Sequence, residues 1–284
     1  MLLFLSAKGL PVAVKARLSG RSRSSFYYRR KQPEKDAAFL EEVRTIHEAH
    51  PYYGYKRIAN ELHVSHKRTY RIMKLNGICA KSSRRRHGKN QYSKGKSSLP
   101  NLMKDIAIKH PNQVWAGDFT YFTWKRRTYY LATVMDICTR QIVGWHVSPS
   151  HSVELVLEAL KMALGKRSKA PMIFHSDHGS EYISEEYVST LKTHGIAPSN
   201  SAKGKPWQNG FVESWNYRFK EELGDPNRFL AFDTLFQELC SKVTEYNTYR
   251  IHSALKMPPD AFHEKKTHEL EAIQTVQKSA INQA

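Results

Sequence analysis

The chain has 284 residues, with 45 Lys and Arg against 26 Asp and Glu, a formal net charge of +19. Forty per cent hydrophobic residues allow a packed core and exclude wholesale disorder. No apolar run approaches the eighteen or so residues of a membrane span, and the short apolar start Met1–Leu5 lacks the charged region of a signal peptide. Cys79, Cys138 and Cys240 are scattered and odd in number, which excludes a disulfide scaffold and points to a reducing compartment.

Residues 1–110 carry 25 Lys and Arg against 7 acids, whereas residues 111–284 carry 20 against 19. Such asymmetry points to a polyanion, most often nucleic acid, as partner of the first part. Within it, residues 8–31 read as a short helix, a turn at Ser19-Gly20 and a second basic segment that Ser22, Ser24 or Ser25 can cap. Phe39, Leu40, Val43 and Ile46 have helical spacing over 35–49, and Pro51 ends that helix. The stretch 52–78 then predicts two short helices, with Ser65 as N-cap of the second and Asn76-Gly77 as its stop. Lys56, Arg57, Lys67, Arg68 and Arg71 in this stretch fit a helix-turn-helix that touches DNA. Residues 81–110 read as a basic linker, rich in Ser, Gly, Lys and Arg up to about residue 100.

From residue 111 the pattern changes. Strands are predicted at 114–124, 128–137 and 140–147, with turns at Arg126-Arg127 and Cys138-Thr139. A helix at 151–165, a short strand at 172–174, a helix at about 184–194 and a helix at 209–223 ending at Gly224 complete a mixed α/β domain. Three acids stand out. Asp118 is embedded in an apolar strand, Asp177 follows a short strand at its carboxyl end, and Glu213 shares a helix face with Asn216, Tyr217 and Lys220. The opposing stripe of that helix is Val212, Trp215, Phe219 and Leu223. Any one of these acids alone is more readily a turn or surface residue than a ligand.

Together, the words NQVWAGDFTYF (112–122), VMDICTRQIVGW (134–145), FHSDHGSEY (174–182), NGFVESWNYRFKEEL (209–223) and YNTYRIHSALKMPPDAF (246–262) resemble the integrase-core, RNase H-like DDE transposases. They are most similar to the second-frame (OrfB-type) transposases of the IS-three insertion-sequence family. The 35 residues between Asp177 and Glu213 match that family's interval, and Lys220 matches its basic position. The resemblance covers about 110–265 and extends more weakly to 52–62. Glu181 stands where the family commonly has Gln, and the loop KGKPWQNG, with Trp207, departs from its usual form.

The resemblance implies an RNase H-like mixed sheet flanked by helices at 111–225, preceded by an all-α helix-turn-helix region at 1–80 and the linker at 81–110, and followed by a helical extension at 226–284. It implies metal-dependent DNA cleavage and strand transfer, with Asp118, Asp177 and Glu213 as catalytic and metal-binding residues. Two Mg²⁺ or Mn²⁺ ions per site would be held, Asp118 bridging both and the other acids binding one each. Lys203, Lys205, Lys220 and Arg250 would join the basic residues above on DNA, with Asn247, Arg250 and His252 otherwise supporting the Glu213 helix. Implied partners are the element ends and target DNA, a second copy of the chain and a first-frame (OrfA-type) product. The expected location is the bacterial cytoplasm, at the nucleoid and not the membrane. The alternatives are an inactive integrase-like DNA-binding protein and a simple metal-dependent nuclease. His175 and His178 have no cysteine near them and are weak grounds for zinc, and no Arg/His/Tyr set supports tyrosine recombination.

Overall fold

A computed structural model describes residues 11–20, 22–27, 32–81, 99–104, 106–202 and 206–281. Most of the basic linker, and Lys203 and Lys205, lie outside the described residues. The chain divides into two compact units, Met1–Ser82 and Ser83–Ala284.

The first unit is helical: α1 (Val12–Ser19), α2 (Arg23–Tyr27), α3 (Gln32–Ala49), α4 (Tyr55–Glu61) and α5 (His66–Leu75). Gly20 and Gly77, both at φ 65°, close α1 and the turn after α5, where a left-handed residue is easiest for glycine. Phe39 and Val43 of α3 meet Ile58 and Ala59 of α4 and Ile72 and Met73 of α5 in a small buried core. Four residues, one of them His63 at φ 51°, connect α4 to α5. Ser65 holds the N-cap position of α5, although its hydroxyl makes no cap hydrogen bond.

The second unit is built on a five-stranded sheet of order β3-β2-β1-β4-β5, from β1 (Val114–Trp124), β2 (Arg127–Asp136), β3 (Ile142–Ser148), β4 (Ile173–Ser176) and β5 (Ala197–Asn200). The first three strands form an antiparallel meander, and β4 and β5 run parallel to β1. Strand periodicity sends alternate residues to opposite faces. Val114, Ala116, Leu131 and Ile142 meet α8 (Gly210–Leu223) and α9 (Phe232–Thr248), while Trp115, Val134, Val143 and Phe174 meet α6 (Val153–Lys166) and α7 (Glu185–Thr193). Helices on both faces make a three-layer mixed α/β unit, the expected fold class, and α10 (Pro259–Ile281) follows α9.

Three local features differ from the sequence reading. The β1–β2 turn is Lys125-Arg126, one residue earlier than expected, because Trp124 pairs with Arg127. Both turn residues have positive φ, 47° and 63°, the geometry that matches the twist of a two-residue hairpin. Strand β4 extends to Ser176. Strand β5 was not expected: APSN shows no alternation and contains a proline, which an edge strand tolerates.

Two close approaches fix the layers. A Cβ on Gly144 would lie 2.2 Å from the Ala159 carbonyl oxygen, so only glycine lets α6 settle on β3. A Cβ on Gly117 would lie 2.6 Å from the Phe174 ring, beside the strand position of Asp118.

Candidate active site

The parallel pairing of β1 with β4 brings two of the acids together. Val114 faces Ile173, Trp115 faces Phe174 and Ala116 faces His175. Continuing this register two places puts Asp118 level with Asp177, just beyond the carboxyl end of β4. Asp118 has the parity of Val114 and Ala116 and therefore points to the α8 side of the sheet.

Helix α8 brings the third acid. Its stripe Val212, Trp215, Phe219 and Leu223 is buried against the sheet, and two asparagines set its position along β1. Asn209 Nδ2 donates to the Gly117 carbonyl at 3.0 Å, and Asn216 Nδ2 donates to Asp118 Oδ2 at 2.8 Å. Glu213, in the first turn of α8, lies one turn before Asn216 on the same face. The Phe119 amide donates to Asp118 Oδ1 at 2.9 Å. The Gly179 amide donates to Asp177 Oδ1 at 2.9 Å, and Asn200 Nδ2 donates to the Asp177 carbonyl at 2.7 Å.

The electrostatics show the three acids acting on one another. Burial first, then the charges of Asp177 and Glu213, push the Asp118 carboxyl well above its usual range, against the hydrogen bonds from Asn216 and Phe119. Asp177 is raised by burial and by Glu181, against the Gly179 amide and His178. Burial and the Asp177 charge raise Glu213. Among the described residues none of the three acids forms an ion pair with lysine or arginine. Mutual repulsion in a partly desolvated place is the condition a bound cation relieves.

Glu181 is a fourth acid at this edge. It is 6% exposed, pairs with His151 Nδ1 at 3.2 Å and accepts from the Ser180 hydroxyl at 2.8 Å, while its Oε2 is buried without a partner. An all-oxygen donor set with an orphaned carboxylate oxygen fits a hard divalent cation. Among the described residues no group of three or more His, Cys, Asp or Glu is placed to hold a metal ion by itself. Burial pushes His175 down to about 4, which keeps its ring neutral; its Nδ1 meets the Ser199 hydroxyl at 2.9 Å and its Nε2 is buried without a partner.

The basic residues fall into different settings. Lys220 is exposed, with Nζ 5.0 Å from the Tyr121 ring centroid. Arg250 is buried and ion-paired to Glu222 of α8, while Asn247 exchanges hydrogen bonds with both backbone groups of Ile142. These two side chains brace α8 and α9. In the first unit Lys56 and Lys67 are exposed, whereas Arg57 lies over Tyr53. Arg68 and Arg71 reach Asp36 at 3.7 and 2.8 Å, and Arg68 also lies over Phe39. Sequence reading placed Asn216 on the right face without seeing its bond to Asp118. It missed Asn209 and the site's neighbour His151, for which no local pattern gave a signal.

Residues 108–206 and 194–259 match the family described as Integrase core domain, and residues 33–87 match the HTH-like domain family. The transposase for insertion sequence element IS904 from Lactococcus lactis subsp. lactis is 38% identical over 242 residues, covering 81% of this chain and 95% of that protein. Transposase InsF for insertion sequence IS3A from Escherichia coli K12 is 32% identical over 209 residues, covering 71% and 73%. Among solved structures, the HTLV-2 integrase catalytic core domain in complex with magnesium is 20% identical over 54% of this chain and 97% of that one, with a TM-score of 0.45.

Proposed function

The chain belongs to the IS3-type insertion-sequence transposases with an integrase core, and from that premise we propose that Asp118, Asp177 and Glu213 are the carboxylates through which it cuts and joins DNA. As a DDE transposase it acts on phosphodiesters. What supports the residue assignment is the β1–β4 register, which puts Asp118 level with Asp177, together with the Asn216 bond that ties the Glu213 face of α8 to Asp118.

In the first step a water oxygen attacks the phosphorus at the element end. The P–O3′ bond breaks, the 3′-oxygen takes up a proton, and the water's oxygen remains on the 5′-phosphate. In the second step the freed 3′-oxygen attacks a target phosphodiester. A new P–O3′ bond forms as another breaks, so no external energy source or covalent protein intermediate is needed. The three carboxylates would hold the divalent metal, Mg²⁺ or Mn²⁺ and two ions per site, and when bound it would supply stabilisation of the attacking and leaving oxygens. Asn216 fixes the orientation of the Asp118 carboxylate through Oδ2, and the Gly179 amide does the same for Asp177 through Oδ1. Lys220, on the Glu213 face, holds a neighbouring DNA phosphate.

The helix-turn-helix region at 1–80, with Lys56, Arg57, Lys67, Arg68 and Arg71, binds the element ends. The linker at 81–110, with Lys203 and Lys205, follows the DNA backbone. The integrase core spans 111–225 and the helical extension 226–284. Handling two ends calls for at least two copies of the chain, and an OrfA-type first-frame product is a further partner. The expected place of action is the nucleoid. No helix among the described residues is long and apolar enough to cross a membrane.

A strand-transfer assay on DNA bearing the element ends, with Mg²⁺, tests this reading. Asp177→Asn should abolish both cleavage and joining while leaving end binding intact. Joining at the wild-type rate by that variant would refute the assignment.

A further inference from the structure

The segment that leads from the linker into the sheet is itself bonded to the surroundings of the three acids. Residues 99–103 form a strap along β5, the outer strand of the sheet. The Asn200 amide donates to the Pro100 carbonyl at 3.1 Å, and the Leu102 amide donates to the Ser199 hydroxyl at 2.9 Å. That hydroxyl also meets His175 Nδ1 at 2.9 Å, on β4 just before Asp177. Leu102 and Met103 pack against the same core as Val212 and Trp215 of α8.

Asn101, in the middle of the strap, reaches further. Its Oδ1 accepts the Met103 amide at 2.9 Å, which leaves Nδ2 to donate to Gln208 Oε1 at 2.7 Å. Gln208 Oε1 also accepts the Ala202 amide at 2.6 Å, so one oxygen ties the strap to both ends of the connection between β5 and α8. Each end adjoins a side chain that holds a catalytic position. Asn200 Nδ2 donates to the Asp177 carbonyl at 2.7 Å. Asn209, directly after Gln208, donates to the Gly117 carbonyl at 3.0 Å and precedes the helix that carries Glu213. The strap therefore meets Asp177 through Asn200, and Asp118 and Glu213 through Gln208 and Asn209. Asn200 and Asn209 are each 2% exposed, so water does not readily replace a lost partner. Every side chain from Asn101 to Asn209 in this link is uncharged, so it supplies spacing and leaves the negative charge of the site unchanged.

We propose that Asn101 and Gln208 are positioning residues of the DDE site: the strap clamps the end of β4 and the start of α8 at the separation at which Asp177 and Glu213 work together. The end of the linker is thus a working part of the catalytic unit as well as a tether. This rests on the assignment of Asp177 and Glu213 as catalytic acids. A neutral hydrogen bond is modest in energy, but this one fixes the spacing of groups on two elements. A displacement of about 1 Å there can cost about a hundredfold in rate.

The test uses the full chain with Mg²⁺ and element-end DNA, and scores end binding and single-turnover cleavage separately. Asn101→Ser keeps an oxygen for the Met103 amide and removes the reach to Gln208; Gln208→Leu removes the shared acceptor. Thermal unfolding checks that each keeps its fold. Both should bind the end as wild type does and cleave about ten- to a hundredfold more slowly at saturating DNA. Because the two residues act through one bond, the double variant should be no slower than the slower single one. Gln208→Glu keeps an oxygen for Asn101 and Ala202 and should recover most of the rate lost in Gln208→Leu. Wild-type cleavage by both single variants, additive losses in the double variant, or no recovery in Gln208→Glu would overturn the proposal. Weaker end binding with an unchanged cleavage rate would assign the strap to DNA recognition and overturn it equally. Asp177→Asn decides the acid assignment by itself: joining by that variant sinks the assignment, whereas an inactive Asp177→Asn beside fully active strap variants sinks this proposal alone.

Discussion

The bond from Asn216 to Asp118 gives the sharpest prediction. Asn216 is 5% exposed, and its amide nitrogen donates to a carboxylate oxygen at 2.8 Å in partly desolvated surroundings. Asn216→Ala removes that donor and leaves the helix anchored by Asn209 and by the stripe Val212, Trp215 and Phe219. A hydrogen bond to a charged group contributes about 1.5–3 kcal/mol. Its loss raises the Asp118 carboxyl further above its usual range, because this bond is what lowers it. A cation must then compete with a proton and with a less ordered ligand, a change of about 10–100-fold in metal affinity. The assay is the Mg²⁺ dependence of strand transfer on a pre-cleaved end. The half-saturating Mg²⁺ concentration should rise by about that factor, with the maximal rate largely restored at saturation. Asn216→Asp, which cannot donate and adds a charge, should be worse than alanine. A Mg²⁺ curve for Asn216→Ala superimposable on wild type would refute the argument.

Two further predictions concern the scaffold. His263 of α10 accepts from the Arg167 guanidinium at 2.7 Å and is pushed down to about 4 by burial first and by the Arg167 charge second. Its folded value lies below the unfolded one near 6.5, so its contribution is intact above pH 6.5 and is lost as pH falls toward 4. After discounting for solvent around this half-buried ring, wild type should lose about 1 kcal/mol more than His263→Gln between pH 7.5 and 4.5 in urea unfolding; parallel curves would contradict this. Gly144→Ala forces a Cβ against the Ala159 carbonyl, a backbone atom that cannot rotate away. It should destabilise the second unit by about 1–3 kcal/mol and lower its Tm by about 3–10 °C, and an unchanged Tm would show that α6 moves freely on β3.

Legibility in the sequence followed how local each cause is. β1, β2 and β3 announced themselves through dense β-branched and aromatic residues, and α8 through its stripe of Val212, Trp215, Phe219 and Leu223. The Lys125-Arg126 turn did not, because two long cationic residues in the left-handed region carry no Gly or Asn signal. Strand β5 is specified by its neighbour β4 rather than by its own four residues. Asp177 and Glu213 could be picked out by their interval, yet their meeting with Asp118 depends on the β1–β4 register, which no local pattern encodes. The strap at Asn101 was invisible for the same reason, since its bonds to Ser199 and Gln208 span 97 and 107 residues.

The dispersal of the site along the chain also sets a timetable for synthesis. Asp118 leaves the ribosome early, Asp177 later, and Glu213 last, on a helix whose position needs Asn209 and Asn216 to find β1. Helix α8 is in turn braced by Arg250, which emerges later still. A nascent chain therefore carries the basic helical unit well before the third of these carboxylates is in place.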